Sequence, residues 1–209
     1  MAAPADSVHR DAVGSLSAEF VRVRQLSEAL VRTLAPEDTV VQSMPDASPT
    51  KWHLAHVTWF FERFVLEPFA PGYPRFNDDY DYLFNSYYYT AGQMHARPKR
   101  GLLSRPTLAE VLEYRAHVDG HMQQLLEGRS GDPELAAVVT LGLNHEQQHQ
   151  ELLLTDIKHV LAQNPLQPAF DAALPRAPSL PVDAYAFDKG ASGIHRVGAE
   201  GRGFRFDNE

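Results

Sequence analysis

One short stretch of the chain carries two histidines at a spacing that suits a metal ion. His145 and His149 lie four residues apart in "LNHEQQHQELLLTDIKHV", which begins at residue 143. Side chains four apart on a helix share one face, so both imidazoles can reach one ion at about 2.0–2.1 Å. Because Val138 and Leu153 lie beside them on the helical wheel, we expect the pair to point inward as metal ligands. Two core histidines satisfied by hydrogen bonds are the alternative.

A third ligand has to come from another segment. The stretch "KWHLAHVTWFFE" offers His53 and His56, three residues apart. Its many aromatic residues indicate that this segment packs centrally, so either histidine could face the first pair. His56 shares its face with Trp52 and is the preferred ligand. His159 is excluded because it follows His149 by ten residues, which is about 15 Å along a helix axis.

A second pair of histidines has the same spacing but a different surrounding pattern. His117 and His121 are four apart in "YRAHVDGHMQQLL". The apolar residues of that segment form a stripe that leaves both histidines at its rim or on the solvent side. We therefore do not expect this pair to bind a metal.

The first pair also matches the H-E-x-x-H pattern of zinc proteases. Such proteases need a further ligand downstream, as in the longer metzincin motif. The continuation "QELLLTDIKH" has no such glycine or histidine, and Glu151 is too close and on another face. Glu146 would have to be the general base, but it falls near the middle of the buried face and needs a partner there. Arg63 is a candidate partner, and the protease interpretation is not favoured.

Periodic apolar residues and capping signals predict the elements that position these histidines. Ser48 is expected to cap the second helix with Pro49 as its first residue. Thr107 and Glu110 form a capping box at the start of the third helix. The four predicted helices span residues 17–34, 48–68, 107–127 and 132–164.

A long connection separates the second predicted helix from the third. Residues 68–105 are rich in Pro, Gly, Tyr and Arg, and connections of this length in compact domains tend to be functional or disordered. The many aromatic residues argue against disorder. We expect an ordered, substrate-facing loop, with a surface arm packed on the helices as the alternative. Four helices with one long crossover predict an all-α fold, a four-helix bundle whose core can hold a metal.

Composition narrows the classes of partner and site. The chain has 209 residues, 44% of them hydrophobic, with a formal charge of −8 and no cysteine. Without thiolates, a metal must use His, Asp or Glu. No basic stretch favours nucleic acid, and no apolar run reaches the ~20 residues of a membrane span. The N-terminus lacks the pattern of a signal peptide, so we expect a soluble, cytoplasmic protein.

The pattern changes after Pro165. Several prolines and then glycines follow without helical periodicity. We therefore predict a bundle domain at residues 1–165, followed at residues 166–209 by a linker and the first strands of a second domain. A strand pair this short cannot bury a core alone, so we expect it either to dock on the bundle or to be the start of a second, truncated domain whose remainder is missing.

Four motifs in order resemble those of one enzyme family. They are "SPTKWHLAHVTWFFE", "YLFNSYY", "RPKRGLLSRPT" and "HEQQHQELLLTDIKH". The chain resembles the N-terminal part of the sulfoxide synthases of ergothioneine biosynthesis, a family that includes the closely related selenoneine synthases. The resemblance implies a DinB-like bundle with a non-haem Fe(II) bound by His56, His145 and His149. It also implies that "GFRFDNE" starts a domain similar to formylglycine-generating enzymes.

The resemblance implies a reaction and its substrates. In this family iron and O2 join sulfur or selenium to the imidazole C2 of hercynine, and the donor is cysteine, γ-glutamylcysteine or a selenosugar. Gln148 matches the position that orients the trimethylammonium end of hercynine. Arg97 and Arg100, together with Lys99 and Arg105, are candidate clamps for the donor carboxylates, with a solvated basic patch as the alternative.

The resemblance also implies what residues 1–209 lack. The family's catalytic tyrosine, a proton donor, comes from the following domain, so no catalytic residue is expected in this fragment and its turnover should be low. The segment Tyr89-Thr90-Ala91 departs from ergothioneine-type members, which leaves the choice between sulfur and selenium open. Two other functions remain: a metal-dependent thiol transferase of the bacillithiol type, and a metal-binding bundle without catalysis. Three histidines also accept Zn, Ni or Co.

Overall fold

The computed structural model describes residues 5–86, 92–129, 131–174, 184–201 and 203–206, with side chains from residue 16 onward. The chain divides into two compact units between Phe170 and Asp171. In the second unit the described residues form no helix or strand, and Tyr185 and Phe187 are exposed. The predicted second domain and its boundary at residue 165 therefore stay predictions.

The first unit is helical, and no strand occurs in the part of the chain that the structure describes. This agrees with the predicted all-α class. A 3-10 helix spans Asp38–Val40, a second spans Arg97–Leu102, and a π-helical stretch spans Glu62–Leu66. The α-helices are α1 (Ala5–Val31), α2 (Thr50–Phe61), α3 (Glu67–Phe69), α4 (Tyr80–Phe84), α5 (Leu108–Gly128) and α6 (Pro133–Gln163).

Helix α2 is the centre of this unit. All of its residues from Thr50 to Phe61 are buried, and it contacts α1, α5 and α6. Its apolar side chains point in every direction, which is typical of a helix surrounded by others. Phe61, for example, meets the ring of Phe20 from α1 edge to face, with centroids 5.1 Å apart. The predicted central position of this segment is confirmed.

A glycine lets α6 approach α2 closely just before the two histidines. A Cβ built at Gly142 would lie 2.7 Å from Cε1 of Phe61 and 2.9 Å from Cε1 of Phe60. Because any larger residue would collide with these rings, the glycine sets the distance between the two helices. His145 lies one turn further along α6, so this contact also sets how near it comes to α2.

The starts of α5 and α6 follow their local sequence signals. The capping box of Thr107 and Glu110 is present, and the Asp132 carboxylate accepts bonds from the backbone N–H groups of Glu134 and Leu135. At 1.5 Å per residue the 31 residues of α6 form a rod about 46 Å long. The bounds of both helices agree with the prediction to within one residue.

Two other helix starts differ from the prediction. Helix α2 begins at Thr50 with Pro49 as its N-cap, so Ser48 does not cap it. The Ser48 hydroxyl instead accepts a bond from Arg100. Helix α1 begins at Ala5, twelve residues before the predicted start. Periodicity missed that extension because few apolar residues mark it.

The long connection packs along α2. The indole N–H of Trp52 donates to the carbonyl of Leu83, and that of Trp59 donates to the carboxylate of Asp81. Both partners lie in α4, so this short helix is tied to the central one. Residues 87–91, which include the segment that departs from the family pattern, lie outside the described residues. No described helix is long and apolar enough to cross a membrane.

Candidate metal centre

Three histidines from two helices converge in the first unit. His56 comes from α2, and His145 and His149 come from successive turns of α6. Their candidate ligand nitrogens all lie within 4.8 Å of one another. Nε2 of His56 is 3.2 Å from Nε2 of His145, and the ring centroids of the three residues are 4.7–5.0 Å apart. We call these three residues the histidine cluster.

The spacing of the histidine cluster fits a metal ion. Two imidazole nitrogens bound at about 2.1 Å to one ion are at most about 4.2 Å apart. The candidate nitrogens lie within 4.8 Å of one another, which is close to that limit. Three close histidines could therefore bind a metal, and the absence of cysteine restricts the donors to nitrogen and oxygen.

Burial keeps the histidine cluster in the protonation state that a metal requires. It lowers the pKa of His145 to about 4. It also holds the pKa values of His56 and His149 well below the usual range, with the neighbouring imidazoles as a second cause. A neutral imidazole has a free lone pair, which is the group that binds a metal. The cluster is therefore ready to bind a cation near neutral pH.

The outer nitrogens of the cluster have different partners. Nδ1 of His56 donates to the carbonyl of Phe84 at 2.6 Å, so the lone pair of this ring lies on Nε2. Nδ1 of His149 lies 2.9 Å from Nδ1 of His53. Nδ1 of His145 is buried without a hydrogen-bond partner among the described residues. Polar atoms buried in this way are uncommon in native proteins, and they mark the cluster as a candidate site.

A cavity of about 240 Å³ opens beside the histidine cluster. Arg100 lies in its wall, buried, and donates to the hydroxyls of Ser48 and Ser86 at 2.9 and 3.0 Å. Its guanidinium carbon lies 3.4 Å from the centroid of the Trp52 ring, a stacked arrangement that suits arginine. The lining comprises Ser48, Trp52, His53, His56, Ser86, Arg97, Arg100, His145, His149, Leu152 and Asp156.

The predicted substrate-binding residues separate into two groups. Arg97 and Arg100 line the cavity with the histidine cluster. Arg97 also donates to the backbone carbonyl of Asp46. Gln148 is exposed on α6 and is not among the lining residues, and Lys99 and Arg105 are exposed as well.

Sequence reasoning missed several residues of the cavity. Asp156 lies seven residues after His149, or two turns along the same face of α6, so its spacing was a usable signal. Ser48 and Ser86 reach the cavity through tertiary contacts that no local pattern reveals. The sequence pattern offers His53 as well as His56 and favours His56 as the ligand. The structure keeps it outside the histidine cluster and against His149.

Glu146 belongs to a separate buried cluster, and the suggested partner Arg63 is wrong. Its carboxylate accepts bonds from Arg24 at 2.9 Å, Arg115 at 3.1 Å and the hydroxyl of Ser27 at 2.6 Å. Arg63 pairs with Glu67 instead. Burial raises the pKa of Glu146, but the two guanidinium groups outweigh it and lower the value to about 2. We call Arg24, Arg115, Asp119 and Glu146 the ionic cluster.

This arrangement removes the basis of the protease interpretation. A general base has to reach a water molecule at the metal, whereas both carboxylate oxygens of Glu146 are engaged by the ionic cluster. The other histidine pair is also accounted for. His117 bonds the carbonyl of Pro74, and Nδ1 of His121 bonds the carbonyl of His117, so neither joins a metal-binding group of the described residues.

The chain matches the model of a known protein family. The family model described as the DinB superfamily matches residues 19–153. The matched range contains all three members of the histidine cluster and spans more than half of the chain. No curated protein matches the chain.

Proposed function

The chain belongs to the DinB superfamily, and we propose that its histidine cluster holds Fe(II) for the oxidative joining of sulfur or selenium to hercynine. The observation that carries this proposal is the convergence of three neutral imidazoles beside a cavity lined by arginines. In this proposal α1, α2, α5 and α6 form the DinB-like four-helix bundle. The proposed reaction is based on the resemblance of four sequence motifs to ergothioneine and selenoneine synthases.

The proposed roles at the metal follow from the ligand set. His56, His145 and His149 would bind Fe(II) through neutral nitrogens and leave other positions of the ion open. Bound iron would supply the O2-dependent oxidation that the reaction requires. The protein supplies the geometry, since both helices are fixed by the buried contacts around α2 and Gly142.

The proposed reaction balances with O2 as the oxidant. The C2–H bond of the hercynine imidazole and the S–H bond of the donor break, and a C–S bond forms. One oxygen atom of O2 ends on sulfur as the sulfoxide, and the other leaves as water with the two hydrogens. A selenium donor would follow the same balance. Cysteine, γ-glutamylcysteine and a selenosugar are the proposed donors.

Two arginines of the cavity wall are proposed to bind the donor. A guanidinium group forms paired hydrogen bonds with a carboxylate, and interactions of this kind are stronger where water is excluded. Arg100 is held in place by Ser48, Ser86 and Trp52, so little of its freedom would be lost on binding. Arg97 lines the same wall. The role of Gln148 at the trimethylammonium group rests on the resemblance alone.

Calorimetry under anaerobic conditions tests the proposal. Hercynine is titrated into the protein with and without Fe(II), and we expect binding that is stronger with the metal. Arg100→Lys is the matched variant, because hercynine binding should persist while affinity for γ-glutamylcysteine falls. Hercynine binding that is absent under both conditions would contradict the proposal. A second assay supplies hercynine, O2 and each donor to the Fe(II)-loaded protein and identifies the product by mass.

A metal-dependent thiol transferase is the second candidate. The family match over residues 19–153 supports it equally, because a superfamily match identifies the bundle with its histidine cluster and not the reaction. Such an enzyme would bind a divalent metal and a thiol but not hercynine, and it would consume no O2. Oxygen uptake that depends on hercynine and a donor therefore separates the two candidates.

A further inference from the structure

Two residues outside the histidine cluster stand directly behind one of its members. His53 lies on α2 one turn before His56, and Asp156 lies on α6 two turns after His149. Nε2 of His53 is 3.0 Å from a carboxylate oxygen of Asp156, and Nδ1 of His53 is 2.9 Å from Nδ1 of His149. The three side chains therefore form a continuous chain of hydrogen bonds that crosses from α6 to α2 and back.

The carboxylate of Asp156 determines which atom donates and which accepts in each of these hydrogen bonds. Burial raises the pKa of Asp156, but the bond from His53 and the bond from the Ser48 N–H outweigh it and lower the value. An ionised carboxylate can only accept, so Nε2 of His53 donates to it. A neutral imidazole has one N–H, and in His53 that N–H is the one that faces the carboxylate. Its Nδ1 therefore accepts, and Nδ1 of His149 is the donor.

This direction leaves His149 with its free lone pair on Nε2. We propose that His53 and Asp156 are positioning residues that hold His149 in the tautomer able to bind a metal through Nε2. The inference rests on the proposed metal centre and concerns how this chain prepares one ligand. A carboxylate–histidine–histidine chain of this kind orients the ring and strengthens the ligand.

The three members of the histidine cluster are thus prepared in three different ways. A backbone carbonyl fixes the tautomer of His56, and a charged side-chain relay fixes that of His149. Nδ1 of His145 has no partner among the described residues. His53 is not a fourth ligand in this arrangement, because both of its ring nitrogens are already engaged.

The test compares metal affinity in four forms of the protein. Co(II) alone is titrated into the metal-free wild type, Asp156→Leu, Asp156→Asn and His53→Ala, and its visible spectrum reports binding. Asp156→Leu and His53→Ala should each weaken affinity by about 10–100-fold, as removal of outer partners does at other metal sites. Asp156→Asn should retain most of the affinity, because one oxygen accepts both the His53 and Ser48 bonds and an amide oxygen can replace it.

A double variant and a matched control separate positioning from general destabilisation. Asp156→Leu should add little to His53→Ala if Asp156 acts through His53. Asp119→Asn changes another partly buried aspartate, one that bonds Arg24 in the ionic cluster, and should lower stability without changing Co(II) affinity. If Asp156→Leu does not fold, nitrogen NMR of the wild type remains decisive: it should show His149 protonated on Nδ1.

The outcomes distinguish failure of the proposed metal centre from failure of this inference. A wild type that binds no metal would overturn the proposed centre together with this inference. Unchanged affinity in Asp156→Leu, independent effects in the double variant, or a proton on Nε2 of His149 in the wild type would overturn the inference alone. Weaker binding with rescue by asparagine would support it.

Discussion

His145 and Glu146 are neighbours on α6, yet their side chains enter two buried clusters of opposite character. The ionic cluster around Glu146 contains two arginines and two carboxylates, and the carboxylate of Glu146 is bonded on both oxygens. The histidine cluster is uncharged near neutral pH, and its candidate ligand nitrogens lie within 4.8 Å of one another. Buried polar groups whose hydrogen bonds are satisfied fix the fold, whereas ring nitrogens that gather beside a cavity form a candidate binding site.

The largest expected effect separates the two clusters by stability. Glu146→Ala leaves Arg24 and Arg115 buried without their shared partner, which should lower the free energy of unfolding by about 3–5 kcal/mol. His145→Ala removes a ring with few hydrogen bonds and should cost only about 1 kcal/mol, a typical value for single substitutions. Urea unfolding of both metal-free variants measures this difference. Equal losses would mean that the histidine cluster is also part of the structural core.

The next effect concerns the approach of α6 to α2 beneath both clusters. Gly142→Ala places a methyl group 2.7 Å from the Phe61 ring, and such overpacking should cost about 1–3 kcal/mol. Gly120→Ala is the matched control, because a Cβ there meets nothing within 4 Å. It should stabilise α5 by about 0.5–1 kcal/mol. A neutral Gly142→Ala would show that the helices can separate without loss.

A smaller effect is expected at the cavity wall. Arg100→Lys keeps the charge but loses the planar group that bonds two serines and stacks on Trp52. If Arg100 binds the donor carboxylate through two hydrogen bonds, loss of one of them should lower the affinity for the donor about 10-fold, since a charged hydrogen bond contributes about 1.5–3 kcal/mol. Metal affinity should stay unchanged. Calorimetry with γ-glutamylcysteine measures the first quantity, and a metal titration measures the second.

A further effect is a dependence of stability on pH that arises from the ionic cluster. The pKa of Glu146 falls from 4.5 to about 2 on folding, so its carboxylate stabilises the fold above pH 4.5. This contribution is lost as the pH falls from about 4.5 toward 2, because protonation then favours the unfolded chain. The stability difference between wild type and Glu146→Gln should shrink over that range. A difference that stays constant in denaturant unfolding from pH 6 to pH 3 would contradict the assignment.

Local sequence signals predicted the ends of the helices better than the side-chain contacts between helices. The caps at Thr107 and Asp132 and the spacing of His145 and His149 are short-range features, and the structure agrees with each of them. The partners of Glu146 could not be predicted, because Arg24 is 122 residues away in sequence and no periodicity links the two. The same limit applied to Ser48, which was expected to cap α2 but faces the cavity.

The part of the candidate site that lies on one face of one helix could be predicted from the sequence. The part that depends on how two helices pack could not. The i, i+4 pair on α6 follows from helix geometry, and His56 followed from its position among the aromatic residues of α2. Whether His56 or His53 faced the pair depended on the rotation of α2, which packing against several helices decides. The relay through His53 and Asp156 needed the coordinates of both helices.

The most direct test of the central claim is an anaerobic titration of the metal-free protein with Fe(II). We predict one ion bound per chain, with binding weakened at least about 100-fold in His56→Ala, His145→Ala and His149→Ala, more than the loss of an outer partner would cause. Glu146→Gln, adjacent in sequence, should bind as the wild type does. Binding that persists in all three histidine variants, or is lost equally in Glu146→Gln, would contradict the account.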